Sequence, residues 1–254
     1  MKQARILMGM PITVEIVDAT ATGAAIEKVY AYFASVEQTF STYKDTSEIS
    51  RINAGLLTLQ NASAEMRTVF ALAEETKQRT DGYFDIRCPD GSIDPSGLVK
   101  GWAILHAAKI LERDGFRNYY VEAGGDIQVR GHSADGDDWS IGIRNPFSPE
   151  QIIKIVTLVD RGMATSGTYL RGQHIYNPHA PHAPLTEIVS ITVIGPDVYE
   201  ADRFATAAFA MGRKGIAFIE RLKGFEAYMV DASGIATMTG GFSSFVRDHA
   251  AMDR

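Results

Sequence analysis

Cysteine is almost absent from this chain of 254 residues, in which Cys88 is the only one. A single thiol excludes an intramolecular disulfide and any metal site built from several cysteines. Runs of basic residues are also missing. Because the formal net charge is −6, nucleic acid is a poor candidate for the main partner, since its phosphates would be repelled.

Long apolar runs are missing as well, and no stretch is long enough to span a bilayer. The first residues, MKQARILMGMPITVEIVD, contain no apolar signal region and no small-residue cleavage site. As the sequence is written, we therefore expect a soluble, cytoplasmic protein. A chain from which a leader had been removed would look the same, and such a protein would be exported.

Apolar residues make up 45% of the chain, which is enough for one sizeable core, so we expect a single domain over residues 1–254. Helical periodicity covers residues 24–39, 63–79, 98–114 and 199–213. Ser47 or Thr46 can cap a short helix, Ser63 can cap the second long helix, and Gly115 is the predicted stop of the third. A turn at Gly124–Gly125 is predicted between two strands. Strand-like patterns cover residues 6–18, 119–130, 139–145, 152–159 and 188–195. Several strands follow one another through short turns, which parallel crossovers would not allow. The pattern predicts an α+β fold, a mainly antiparallel sheet with packed helices.

The densest stretch is TDGYFDIRCPDGSIDPSGLVKG, residues 80–101, which lies between two predicted helices. Its glycines and prolines prevent a regular helix or a central strand. The stretch is therefore either an inert connection or a backbone shaped around a ligand. Lys100 falls near the start of the following helix, where a cation is unfavourable unless an anion binds at the same terminus.

Asp202 and Thr206 are four residues apart on a predicted helix, so both side chains lie on one face. A carboxylate and a hydroxyl in this arrangement can hold a hard cation. Two simpler interpretations remain: Asp202 caps its helix, and Lys100 pairs with Asp94 on the surface. If Asp202 is a ligand, we expect it to be exposed and outside the core.

Residues 164–185 are predicted to be a long loop-rich span, broken by prolines, in which three histidines, His174, His179 and His182, stand close together. Their spacing does not favour zinc. His174 is the better candidate for a general base, although a lone loop histidine is more often structural. Tyr43 and the pair Tyr83–Phe84 can stack on a planar ring, but aromatic residues in such places usually belong to the core.

Taken together, these stretches resemble the ApbE-type flavin transferases (FAD:protein FMN transferases), in a short form of that family, and the similarity runs in order along nearly the whole chain. The matching segments are Met8–Met10; Tyr43, Ser47, Glu48, Ile52 and Asn53; Gly82, Phe84 and Asp85; Ile93, Asp94, Ser96, Gly97, Lys100 and Gly101; Gly124–Ile127; Thr165–Gly167 with Tyr169 and Arg171; His174, Ile175 and Pro178; and Ala201, Asp202 and Ala205–Ala207.

The resemblance implies a T-fold-like α+β domain that is an enzyme. FAD would be its substrate, Mg²⁺ its metal and a flavin-acceptor protein its partner. The reaction would transfer FMN from FAD to a threonine hydroxyl of the acceptor and release AMP. By resemblance, the FAD-binding residues are Met8, Tyr43, Tyr83, Phe84, Asp85, Asp94, Lys100 and Ile175. The implied metal ligands are Gly97, Asp202 and Thr206, and the catalytic residues are His174 and Lys100.

Two departures from the family pattern keep alternatives open. Between Asp85 and Asp94 the chain has eight residues, where many members carry a long insertion. Asn177 stands where the family usually has an aspartate before the proline. The alternatives are a FAD pyrophosphatase, which would give FMN and AMP, and a non-catalytic FAD-binding protein.

Overall fold

The computed structural model describes residues 1–167 and 175–247. Within these ranges the α-helices are α1 (Gly23–Phe40), α2 (Glu48–Asn53), α3 (Ala64–Arg79), α4 (Ser96–Arg113), α5 (Val198–Ala210) and α6 (Gly215–Glu220). The strands are β1 (Lys2–Leu7), β2 (Met10–Ile16), β3 (Tyr119–Ala123), β4 (Asp126–Arg130), β5 (Trp139–Asn145), β6 (Ser148–Leu158), β7 (Gly162–Gly167), β8 (Ile188–Gly195), β9 (Glu226–Asp231) and β10 (Ala236–Met238).

Eight of these strands form one sheet in the order β1-β2-β3-β4-β7-β8-β9-β10, and every described pairing in it is antiparallel. β5 and β6 form a separate two-stranded sheet. The predicted α+β fold with a mainly antiparallel sheet is therefore confirmed.

Side chains alternate between the two faces of the large sheet, as the pleat requires. On one face, Ile12 and Val14 of β2 join a core with α1, α3 and α4, while Val193 of β8 joins a core with α5 and α6. On the other face, Val129 and Ile194 pack with the apolar side chains of β5 and β6. The helices thus cover one face of the sheet, and the β5–β6 hairpin covers the other.

Most helix boundaries follow the sequence signals. Ser47 and Ser63 are N-caps whose hydroxyls accept hydrogen bonds from Ser50 N and Met66 N. After α4, Gly115 adopts a φ of +92°, the left-handed conformation that ends many helices.

The sheet differs from the prediction at two places. Residues 6–18 are not one strand, because Met8 and Gly9 have φ values of 53° and 72° and turn the chain from β1 into β2. The span from Ala164, predicted to be loop-rich, instead begins inside β7, which pairs with β4 and β8. The small residues of GMATSG carry no apolar alternation, so the periodicity gave no signal for this strand.

In the described part of the chain, no helix is both long and apolar enough to cross a membrane.

Candidate active site

One cleft brings together residues from the middle and the end of the chain. Seventeen residues line it: Tyr83, Phe84, Asp85, Cys88, Asp94, Ser96, Gly97, Lys100, Gly124, Thr165, Ser166, Gly167, Ile175, Tyr176, Pro178, Asp202 and Thr206. Eight of them belong to the stretch 80–101, which is therefore a wall of the cleft. Two more, Asp202 and Thr206, come from α5.

Close contact between α4 and α5 creates the floor of the cleft. A Cβ atom on Gly101 would lie 2.6 Å from Asp202 Cβ and 2.7 Å from the Val198 carbonyl oxygen. A Cβ on Gly97 would lie 3.1 Å from Thr206 Cγ2. Glycines one helical turn apart thus let α5 approach the backbone of α4, and this approach places Asp202 and Thr206 beside it.

The three predicted metal ligands meet at this contact. Thr206 Oγ1 lies 3.3 Å from the Gly97 carbonyl oxygen, and Asp202 lies one turn before Thr206 on the same face. A carbonyl, a hydroxyl and a carboxylate are the oxygen donors that a hard cation such as Mg²⁺ accepts. No group of three or more His, Cys, Asp or Glu side chains suited to a metal occurs in residues 1–167 and 175–247. The donor set therefore fits Mg²⁺ better than zinc.

Asp202 is buried, not exposed as expected from the sequence, with a relative accessibility of 3%. Its Oδ2 accepts a 2.7 Å hydrogen bond from Gly101 N. Burial raises the pKa of Asp202 to about 7, while Lys100 opposes this shift and Asp126 adds to it. A buried carboxylate that is costly to ionise gains most from a bound cation, so this environment also fits a metal ligand.

Lys100 reaches the cleft from α4 and lies between two buried acids. Its Nζ is 2.6 Å from Asp126 Oδ2 and 3.8 Å from Asp202 Oδ1. Asp126 is 1% exposed, and its Oδ1 accepts a hydrogen bond from Thr165 N at 3.0 Å. Asp126 belongs to the matching segment Gly124–Ile127, but no role was predicted for it. An acid directly after the two-glycine turn Gly124–Gly125 was the available signal.

The aromatic wall is shaped by a tight turn after α3. Asp81 and Gly82 have φ values of 50° and 80°, and the buried hydroxyl of Thr80 accepts a hydrogen bond from Phe84 N at 3.1 Å. The turn and this hydrogen bond hold Tyr83 and Phe84 against the cleft. Next to them, Lys77 Nζ lies 2.6 Å from Asp85 Oδ2, so this carboxylate is already paired with a cation.

The short loop 86–93 is closed by its own hydrogen bonds. Asp94 N donates to the Ile86 carbonyl and Cys88 N donates to the Ser92 carbonyl, each at 2.8 Å. The amide of Asn53 then bonds both backbone groups of Ile93, at 2.8 and 2.9 Å. Asn53 thus holds the loop in place and does not line the cleft.

Glu48 has a similar supporting role, because its Oε2 accepts hydrogen bonds from both the backbone N and the hydroxyl of Ser63. This acid therefore ties α2 to the N-terminus of α3. Together with the Ser47 cap, the segment around Ser47–Asn53 is a scaffold for the cleft wall.

The segment that begins at residue 175 packs against the aromatic wall. Tyr176 donates its hydroxyl to the Arg87 carbonyl at 2.7 Å, and the His179 ring packs edge-on against Tyr83 with centroids 4.5 Å apart. Asn177 accepts a hydrogen bond from His179 N within a turn. In this chain its amide shapes the turn that carries His179.

Some of the remaining predicted residues lie away from the cleft, and the others lie outside the described residues. Met8 packs at the edge of the core, and Tyr43 is 96% exposed; neither lines the cleft. Their assignment to the flavin stays a prediction. His174, Tyr169 and Arg171 lie outside the described residues.

Fold and cleft together define a class: an antiparallel α+β protein whose cleft joins an aromatic wall to a lysine and hard oxygen donors. The chain belongs to the ApbE family, whose sequence profile matches residues 8–90 and 87–229.

Among curated relatives, the FAD:protein FMN transferase of Klebsiella pneumoniae is 29% identical over 182 residues, which is 68% of this chain and 52% of the relative. The Escherichia coli K12 protein of the same name is 29% identical over 65% of this chain and 50% of its own length. The chain thus spans about half the length of these relatives.

Solved structures share the fold. The flavin transferase ApbE from Vibrio cholerae superposes with a TM-score of 0.84 at 23% identity, covering 96% of this chain and 98% of that one. The apo flavinyl transferase ApbE of Pseudomonas stutzeri gives 0.83 at 24% identity, with 97% of each chain covered.

Proposed function

We propose that this chain is a single flavin transferase domain over residues 1–254, which transfers FMN from FAD to a threonine hydroxyl of a partner protein and releases AMP. Family membership and the activity named for its relatives support the proposal. The observation that carries it is the meeting of Lys100 with Asp202, Thr206 and the Gly97 carbonyl beside an aromatic wall. A flavin dinucleotide needs both an aromatic surface and countercharge for its pyrophosphate.

In this proposal the two ends of the stretch 80–101 bind different parts of FAD. Tyr83, Phe84 and Asp85, which line the cleft, face the flavin side. Asp94, Lys100 and Ile175 face the remainder of FAD, and of these Lys100 supplies the positive charge for its pyrophosphate. The ammonium group of Lys100 is only partly exposed, so its charge acts with less screening than on an open surface.

The donors that would hold Mg²⁺ are the Gly97 carbonyl, Asp202 and Thr206. Bound there, the metal would neutralise charge on the pyrophosphate oxygens. The chain's own contribution is to hold the phosphates against Lys100 and to keep the reacting atoms in line.

In the transfer step, the acceptor oxygen forms a bond to the FMN phosphorus. The bond from that phosphorus to the bridging oxygen breaks, and AMP leaves with the bridging oxygen. The hydroxyl proton passes to a general base, for which His174 is the candidate from the sequence.

The test is to incubate the protein with FAD, Mg²⁺ and a threonine-containing flavin-acceptor domain. We expect the acceptor to gain the mass of one FMN on threonine, with one AMP released per flavin attached. AMP and free FMN without a mass gain would indicate the pyrophosphatase instead. FAD that stays bound but intact would indicate a non-catalytic FAD-binding protein.

A further inference from the structure

Asp126 is a buried acid beside the cleft, and neither the sequence prediction nor the proposed function assigns it a role. Lys100 Nζ is 2.6 Å from Asp126 and 3.8 Å from Asp202. The same ammonium group therefore lies within reach of two carboxylates, of which one is a proposed metal ligand. If the ammonium group stays on Asp126, Asp202 can bind a cation. If it moves to Asp202, it competes with that cation.

We propose that Asp126 is a positioning residue that holds the Lys100 ammonium group away from Asp202, so that Asp202 can bind Mg²⁺. The inference rests on the metal site of the proposed function and deepens it. It assigns to Asp126 an action through Lys100, not a contact with the reacting atoms.

The backbone around Asp126 holds its carboxylate in a defined position. Gly124 and Gly125, with φ values of 58° and 95°, make the turn that starts β4 at Asp126. Asp126 Oδ1 is anchored by Thr165 N of the neighbouring strand β7, and Oδ2 is thereby directed to Lys100. Because the lysine side chain is flexible, its ammonium group takes the position set by the fixed Asp126 carboxylate.

Charge balance points the same way. With Asp202 ionised, the two carboxylates and the ammonium group between them carry a net charge of −1, which favours a divalent cation. Without the Asp126 charge, the remaining pair would be neutral. Moving Lys100 Nζ by about 1 Å would then bring it to hydrogen-bond distance from Asp202, where it would compete with the metal.

The experiment is calorimetric titration of the full-length protein with Mg²⁺ in the absence of FAD. Asp126→Asn removes the charge but keeps an oxygen for the Thr165 N–H group. We expect this variant to bind Mg²⁺ about 10- to 100-fold more weakly, the range for residues that act behind a metal ligand. The double variant Asp126→Asn/Lys100→Met removes the competitor, and its affinity should return to within about threefold of wild type, well inside that range.

Asp231→Asn is the matched control. Like Asp126, Asp231 is buried and paired with a cation: it is 2% exposed and lies 2.8 Å from Arg213, but Arg213, unlike Lys100, does not line the cleft. Its Mg²⁺ affinity should equal that of wild type. Unchanged affinity in Asp126→Asn, or no recovery in the double variant, would overturn the proposal.

A second measurement uses only the wild-type protein, in case Asp126→Asn does not fold. In a crystal structure of the Mg²⁺-loaded wild type, Lys100 should remain on Asp126. Loss of that contact, or a wild type that binds no Mg²⁺, would overturn the inference. If the Mg²⁺ results hold while FMN transfer fails, only the proposed function is refuted.

Discussion

Gly101→Ala is the substitution that most directly probes how the cleft floor is built. In an exposed helix, replacing an interior glycine by alanine stabilises the fold by roughly 0.5–1 kcal/mol. At Gly101 the new Cβ would instead lie 2.6 Å from Asp202 Cβ and 2.7 Å from the Val198 carbonyl oxygen. Ordinary contacts between such atoms are about 3.5–4.0 Å, so α5 must move by about 1 Å.

The sign of the effect follows from comparing the two contributions. Overpacking a well-packed interior costs about 1–3 kcal/mol, which exceeds the gain in helix propensity. We expect a net destabilisation of about 1–2 kcal/mol and, for a chain of this size, a fall in Tm of about 2–8 °C. Mg²⁺ binding should weaken as well, because Asp202 moves relative to the Gly97 carbonyl.

The assay is thermal unfolding with and without Mg²⁺, and Gly23→Ala is the control. Gly23 is the first residue of α1, and a Cβ there would meet no atom within 4 Å. That variant should be as stable as wild type or slightly more stable. If Gly101→Ala matched this control in Tm and in Mg²⁺ affinity, the α4–α5 contact would not be what places Asp202.

Three further predictions concern the cleft and its support. Asp202→Asn should fold normally, because its amide oxygen still accepts from Gly101 N, but calorimetry should show no Mg²⁺ binding; unchanged binding would remove Asp202 from the ligand set. Because burial raises the pKa of Asp202 to about 7, its ionisation should lower the stability of the metal-free protein as pH rises from about 4 to about 7. The Tm increase caused by Mg²⁺ should grow over the same window, and Asp202→Asn should lack both trends. Tyr83→Ala should weaken FAD binding, measured by flavin fluorescence, with Mg²⁺ affinity unchanged; equal FAD affinity would contradict the flavin assignment.

Local signals in the sequence were enough to predict the scaffold. The caps at Ser47 and Ser63, the stop at Gly115 and the turn at Gly124–Gly125 all depend on a few neighbouring residues, and the structure has each of them. By contrast, β7 was missed because its strand character comes from pairing with β4 and β8, not from its own residues.

The shared helix face of Asp202 and Thr206 was predictable, because their spacing on one helix decides it. The burial of Asp202 was not predictable, because it results from the approach of α5 to α4 across a long stretch of chain. The partner of Lys100 was missed for the same reason. Asp126 comes from a different strand, and only tertiary packing brings its carboxylate to Lys100.

The decisive test of FMN transfer from FAD to a threonine is the intact mass of an acceptor domain. After incubation with this protein, FAD and Mg²⁺, the acceptor should gain the mass of one FMN, and the gain should vanish with Asp202→Asn. An acceptor of unchanged mass, whether FAD is cleaved or stays intact, would refute the transfer.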